Sequence, residues 1–168
     1  MLFTCNNSRK RQSCAADHGG SQMVSNGMKT LTVDIHCHRQ CYQAGDLMEV
    51  EAKKAGFTAL SLGSELTIEV NRKQLEFVKP QMMSIERRLE DMDNMGIDIQ
   101  AVSISPYQYY YWAEPEAGRD VCRLINDDMA EAISPHPDRF VGLGTVPLQN
   151  TEFAITVFIV WAAKSCLA

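Results

Sequence analysis

Val33-Asp34-Ile35-His36-Cys37-His38 is the stretch on which the reading of this chain turns. Leu31 and Thr32 precede it, and apolar and polar residues alternate throughout. The period of two predicts a strand over residues 31–38. Alternate side chains of a strand share a face. His36 and His38 therefore point one way, and Leu31, Val33, Ile35 and Cys37 the other. Asp34 falls on the histidine side, where it could orient a ligand through a hydrogen bond or serve a buried structural partner. Two neutral imidazoles at a strand end form half of a site for zinc or another divalent transition metal. The plainer alternative is two solvated histidines at a polar strand end.

Downstream, Asp46 to Gly56 reads as a short helix, with Asp46 as N-cap and Gly56 as its stop. Phe57–Leu62 and Glu65–Val70 read as two β-like runs around Gly63-Ser64, a hairpin inserted after the first strand and punctuated by Lys79-Pro80. Met82–Met95 has Ile85, Leu89 and Met92 on one helical face and is closed by Gly96. Ile97–Ser105 follows as a strand. The connection Tyr107-Gln108-Tyr109-Tyr110-Tyr111-Trp112 is strongly aromatic. Pro115–Ser134 is a second amphipathic helix, and Phe140–Val146 a third strand. Strand, helix, strand, helix, strand is the pattern of βα repetition around a parallel sheet. Catalytic groups of such folds sit at the carboxyl ends of strands. His36, His38 and the aromatic loop then share one rim, which strengthens the metal reading.

The whole chain has 168 residues, enough for one core, with 45% hydrophobic and 22% charged residues. Its net charge of −5 argues against the basic face that a nucleic-acid partner requires. Residues 1–28 are rich in Ser, Asn and Gly and lack apolar periodicity or a signal-peptide core, so they read as a disordered extension. The six cysteines contain no C-x2-C pair, which favours reduced thiols and a cytoplasmic location. A less favoured alternative is a small zinc knot of Cys37 and Cys41 with the histidines, completed by Cys5 and Cys14. His18 and His136 read as surface residues, and Arg139 as the partner of Asp138 in a turn.

The strand ending His36-Cys37-His38 resembles the first-strand metal motif of the amidohydrolase superfamily. The segments from Met92-Asp93 to Ser103, from Tyr111 to Glu116, from Cys122 to Asp128 and from Pro137 to Gln149 resemble its aminocarboxymuconate-semialdehyde decarboxylase branch. The resemblance covers about residues 31–155, loosely between 42 and 81. It implies an α/β fold of the (β/α)8 TIM-barrel class and a metal-dependent, non-oxidative carboxy-lyase, usually with zinc and often a homodimer. The implied substrate is a small unsaturated or aromatic carboxylic acid, as in tryptophan/kynurenine catabolism, with no membrane partner. It implies that His36 and His38 bind the metal. Arg72 is the nearest match to a family arginine that contacts substrate carboxylate, with a solvated charge as the alternative. Tyr107 and Trp112 are candidates to stack on a planar substrate, or to pack as a lid.

A complete barrel needs about 250 residues. The expectation here is an incomplete barrel of about three β/α units over residues 29–154, followed by a divergent apolar tail over 155–168. That tail is too short to span a bilayer. Third and fourth ligands of the family kind are absent, so an inactive polypeptide is expected. The alternatives in function are a metal-dependent hydrolase of the same superfamily, and a non-catalytic fragment that pairs with a full-length enzyme.

Overall fold

A computed structural model describes residues 31–56 and 65–165. Three parallel strands stand in the order β1 (Val33–Arg39), β2 (Ile99–Ile104), β3 (Phe140–Leu143). Parallel neighbours need crossovers. Helices α1 (Tyr42–Lys54), α2 (Glu65–Met83) and α3 (Ile85–Met95) link β1 to β2, α4 (Pro115–Ile133) links β2 to β3, and α5 (Thr151–Ser165) follows. The sheet is not closed, and β1 and β3 are its edges among the described residues.

Strand β2 sets the layering. Gln100, Val102 and Ile104 are buried and alternate with half-buried Ile99, Ala101 and Ser103. The buried set faces the helices. Val102 packs with Met92 of α3, Met129 of α4 and Phe140 of β3. Ile104 packs with Ala44 and Met48 of α1 and with Val121 and Ile125 of α4. The opposite face is open, and Ile35 on the edge strand is 77% exposed.

The α3–β2 junction follows from local chemistry. The Ser84 hydroxyl accepts the Arg87 N–H at 3.1 Å, and Gly96 closes the helix at φ 70°. Ile97 N–H then returns to the Met92 carbonyl at 2.8 Å, a left-handed cap that glycine adopts without Cβ strain. This cap consumes Ile97, so β2 starts later than the periodicity predicts. Strand β3 also stops early, because Asn126 of α4 holds both the N–H (2.8 Å) and the carbonyl (2.9 Å) of Thr145.

Three expectations need correction. Glu65–Val70 is helical, as the start of α2, and not a strand. Its short alternation loses to the i,i+4 pairs Lys73–Glu69 (2.7 Å) and Arg72–Glu76 (3.4 Å) on a continuous helical surface. Phe57–Leu62 lies outside the described residues. Pro80 lies inside α2, which runs on to Met83. Helix α1 begins at Tyr42, so Asp46 is interior rather than its cap. The reason lies far along the chain. The Gln108 side chain accepts the Cys41 N–H at 3.0 Å and donates to the Cys41 carbonyl at 2.7 Å, fixing the helix entry from outside.

The apolar run after Ala154 forms α5. Asn150 Oδ1 accepts the Phe153 N–H at 3.0 Å, an N-cap that starts a helix despite the β-branched residues beyond it. Val157 is buried, and Trp161 joins the cluster around Met129. The indole lies directly over Gly144, where an added Cβ would come within 2.6 Å of its Nε1. Gly144→Ala is therefore expected to cost about 1–3 kcal/mol, read as a lowered midpoint of urea unfolding. In a Trp161→Ala background the same change is expected to be nearly neutral. Equal costs in both backgrounds would show that the indole is not the obstacle.

Candidate metal centre

His36 and His38 lie together, with ring centroids 5.2 Å apart and planes at 87°. His36 is exposed and His38 half-buried. His38 Nδ1 lies 2.8 Å from Ser103 Oγ on the neighbouring strand, and that hydroxyl donates to the Cys37 carbonyl at 3.3 Å.

The strand beneath them is not regular. Asp34 pairs with Gln100, but Cys37 pairs with Val102, so three steps of β1 match two of β2. One extra residue is accommodated between them as a bulge. Asp34 therefore turns to the same side as Gln100, the helix-covered side, and not to the histidine side that strict alternation predicts. Its Oδ2 accepts Gln100 Nε2 at 2.9 Å, while Oδ1 accepts the His36 backbone N–H at 3.0 Å. Asp34 thus reaches the site through the main chain. Gln100 in turn accepts from Arg88 Nη1 at 3.2 Å, and Arg88 Nη2 donates to the His38 carbonyl at 2.7 Å. Arg88 is buried, and desolvation pushes its pKa below the usual arginine value. Arginine nonetheless stays charged in proteins. A buried cation on α3 therefore grips the main chain of the second histidine.

Cys37 points away from the imidazoles. Its thiol donates to the Ala101 carbonyl at 3.3 Å, and burial pushes its pKa up to about 11. Burial likewise raises Cys41, and takes Cys122 to about 11. Cys37 Sγ is thus turned to the Ala101 carbonyl, and Cys41 and Cys122 are buried. Among the described residues no group of three or more His, Cys, Asp or Glu side chains is placed to hold a metal. Cys5 and Cys14 lie outside those residues. The donor set fits two coordination positions of a divalent cation, one short of the three protein ligands a catalytic zinc site uses.

The aromatic loop leaves the carboxyl end of β2, where Ser105 N–H bonds the Arg39 carbonyl at 2.9 Å and ties the two strand ends together. Tyr107 is 54% exposed, and its hydroxyl accepts from Gln40. Tyr109 stacks on Tyr111 at 5.3 Å, and Tyr110 meets Trp112 edge-on at 6.1 Å. Tyr109 and Tyr110 pack on the α1–α4 core, whereas Tyr111 and Trp112 stay exposed. Arg72 stands exposed on α2 beside Glu76. Arg139 reaches well beyond its own turn. It pairs with Asp93 at 2.7 Å and donates to the Asp98 and Ile97 carbonyls, stapling the α3–β2 turn. His136 lies before β3, at the amino end of the sheet, edge-on to Phe140 at 6.3 Å.

The pocket of about 260 Å³ between α4 and α5, which Arg123, Asn126 and Trp161 help to line, does not include the histidines. Sequence reasoning missed Ser103, Gln100, Arg88 and Gln108. Only Ser103 carried a signal, because the alternation of β2 places it on the open face with Ala101.

No family model matches the chain. Its fold is that of part of several solved α/β decarboxylases. The 5-carboxyvanillate decarboxylase of Sphingomonas paucimobilis superposes with a TM-score of 0.63 at 19% identity, covering 81% of this chain and 40% of that one. A dihydroxybenzoic acid decarboxylase of Polaromonas, solved with manganese and 2-nitroresorcinol, gives 0.58 at 20% identity, over 82% of this chain and 36% of its own.

Sequence comparison is more specific. The chain is 30% identical over 132 residues to the 2-amino-3-carboxymuconate-6-semialdehyde decarboxylase of Caenorhabditis elegans, covering 77% of this chain and 33% of that relative. The Dictyostelium discoideum enzyme of the same name is 38% identical over 68 residues, 40% of this chain and 19% of that relative. The chain is thus aminocarboxymuconate-semialdehyde decarboxylase-like, as its residues suggested. It spans a third or less of the length of these two relatives.

Proposed function

We propose that the chain carries the first-strand metal pair of a divalent-metal-dependent, non-oxidative decarboxylase acting on an unsaturated or aromatic carboxylic acid. 2-Amino-3-carboxymuconate semialdehyde is the leading substrate. The observation that carries this reading is the edge-to-face pair His36 and His38 on the open face of a parallel strand, in a chain similar to enzymes of that name. Zinc suits two imidazoles, and manganese is the ion bound in the Polaromonas neighbour. When bound, such a cation polarises a substrate oxygen and acidifies its water. The chain's own part is to present the two rings on a main chain tied down by Arg88 and Asp34. The exposed rings of Tyr107 and Trp112 offer flat faces to a planar acid, and Arg72 is the candidate partner for its carboxylate.

Two donors make a weak site, so the chain by itself is expected to be inactive. The test has two arms. Purified chain with added zinc or manganese should leave the absorbance of the semialdehyde unchanged. A chimera carrying residues 31–150 in place of the matching segment of the Caenorhabditis elegans relative should release carbon dioxide from it. Turnover by the chain alone at the relative's rate would overturn the inactivity. A chimera that cleaves an amide or ester without releasing carbon dioxide would favour the hydrolase alternative.

A second reading, pairing with a full-length relative, has its own observation. Val33 and Ile35 on edge strand β1 and Phe158 and Ile159 on α5 are exposed. Unpaired strand edges invite another chain.

A further inference from the structure

We propose that Ser103 is a positioning residue that holds His38 as the tautomer protonated on Nδ1, leaving the Nε2 lone pair free for a metal. The inference rests on the reading of His36 and His38 as a metal pair and deepens it.

Ser103 Oγ lies 2.8 Å from His38 Nδ1 and 3.3 Å from the Cys37 carbonyl. A carbonyl only accepts, and a serine hydroxyl has one proton to give. Both contacts are hydrogen bonds at once in a single arrangement, with Oγ–H directed to Cys37 and Nδ1–H directed to Oγ. In the other neutral tautomer the hydroxyl must give its proton to Nδ1, and the contact with Cys37 is lost. A metal-binding histidine is oriented in this way, by a hydrogen bond from its second ring nitrogen. Nε2 is the only nitrogen left to bind a cation, and His38 has His36 edge-on beside it.

The bulge makes the contact. Had the Asp34–Gln100 register continued unbroken, His38 would stand opposite Ile104, whose side chain is in the helix-side core. The extra residue moves His38 opposite Ser103 instead, on the open face. Around it the strand is tethered by the Cys37 thiol on the Ala101 carbonyl and by Arg88 on the His38 carbonyl. The hydroxyl and the imidazole are therefore held against each other by the sheet itself.

Long-range 1H–15N correlation of the ring nitrogens reads the tautomer directly, in metal-free chain and in alkaline buffer where imidazoles are neutral. His38 is assigned by the signals missing from His38→Gln, and His136 serves as an internal control. His38 is expected as Nδ1–H in the native chain and in Ser103→Thr. In Ser103→Ala the equilibrium is expected to move about tenfold towards Nε2–H, the equivalent of one hydrogen bond. Cobalt affinity, followed by its visible absorption, is expected to fall about 10–100-fold in the same variant and to recover in Ser103→Thr. Native His38 in the Nε2–H form, or an unchanged tautomer in Ser103→Ala, would overturn the proposal. Should Ser103→Ala not fold, the tautomers of the native chain and of Ser103→Thr still decide it. Failure of the metal reading looks different: His38 would be Nδ1–H, controlled by Ser103, in a chain that takes up no cobalt.

Discussion

Replacing His38 by alanine is expected to lower cobalt or zinc affinity by more than about 100-fold, and His36→Ala by a similar amount. Residues that only orient a ligand cost about 10–100-fold when removed, so loss of a ligand itself must exceed that range. The effect should be equal for the two positions, because each would supply one of only two imidazoles and neither can hold the ion alone. His136→Ala should bind as the native chain does, since that ring lies at the other end of the sheet. Cobalt titration followed in the visible range separates these outcomes. Native affinity in either of the first two variants would remove the pair as a metal site, and with it the proposed chemistry. Neither imidazole belongs to the helix-side core, so thermal unfolding should move little and loss of affinity cannot be ascribed to loss of fold.

Removing Arg88 is expected to have the largest effect on stability. The residue is 7% exposed, and its guanidinium holds the His38 carbonyl and the Gln100 side chain. Arg88→Ala leaves both acceptors without that donor, and Gln100 also steadies Asp34. A hydrogen bond to a charged group contributes about 1.5–3 kcal/mol, so two of them with the packed stem amount to about 4 kcal/mol. Arg88→Met keeps most of the stem and should cost less, about 2–3 kcal/mol. Urea unfolding would show a lowered midpoint with an unchanged slope. A loss within about 0.5 kcal/mol for Arg88→Met, the range of a surface substitution, would mean that the guanidinium does not anchor the strand.

The histidine pair and most of the α/β order were legible because they are local. A period of two in β1, a 3.6 period in α3 and α4, and Gly96 as a stop are each contained within one element, and the structure places them close to where they are predicted. The bulge was not legible, since strand alternation gives no sign of which residue the neighbouring strand will skip, and Asp34 was consequently assigned to the wrong face. Residues Glu65–Val70 alternate like a strand, but they open the longer helix α2, whose surface ion pairs favour the helical spacing. Arg139 was matched to its sequence neighbour, whereas its side chain also bonds Asp98, Asp93 and Ile97, each at least 41 residues away.

The order of residues by itself pointed to the side chains that could meet a cation: two imidazoles one pleat apart, with a knot of cysteines as the lesser alternative. Tertiary structure alone decided how those imidazoles are held. Gln108 grips the turn after β1 from 67 positions away, Arg88 holds the His38 carbonyl from 50, and Ser103 comes to the His38 ring across 65. Hydrogen bonds of that kind depend on distances of about 3 Å between atoms remote in the chain. Periodicity records which face a residue occupies but not what will stand opposite it.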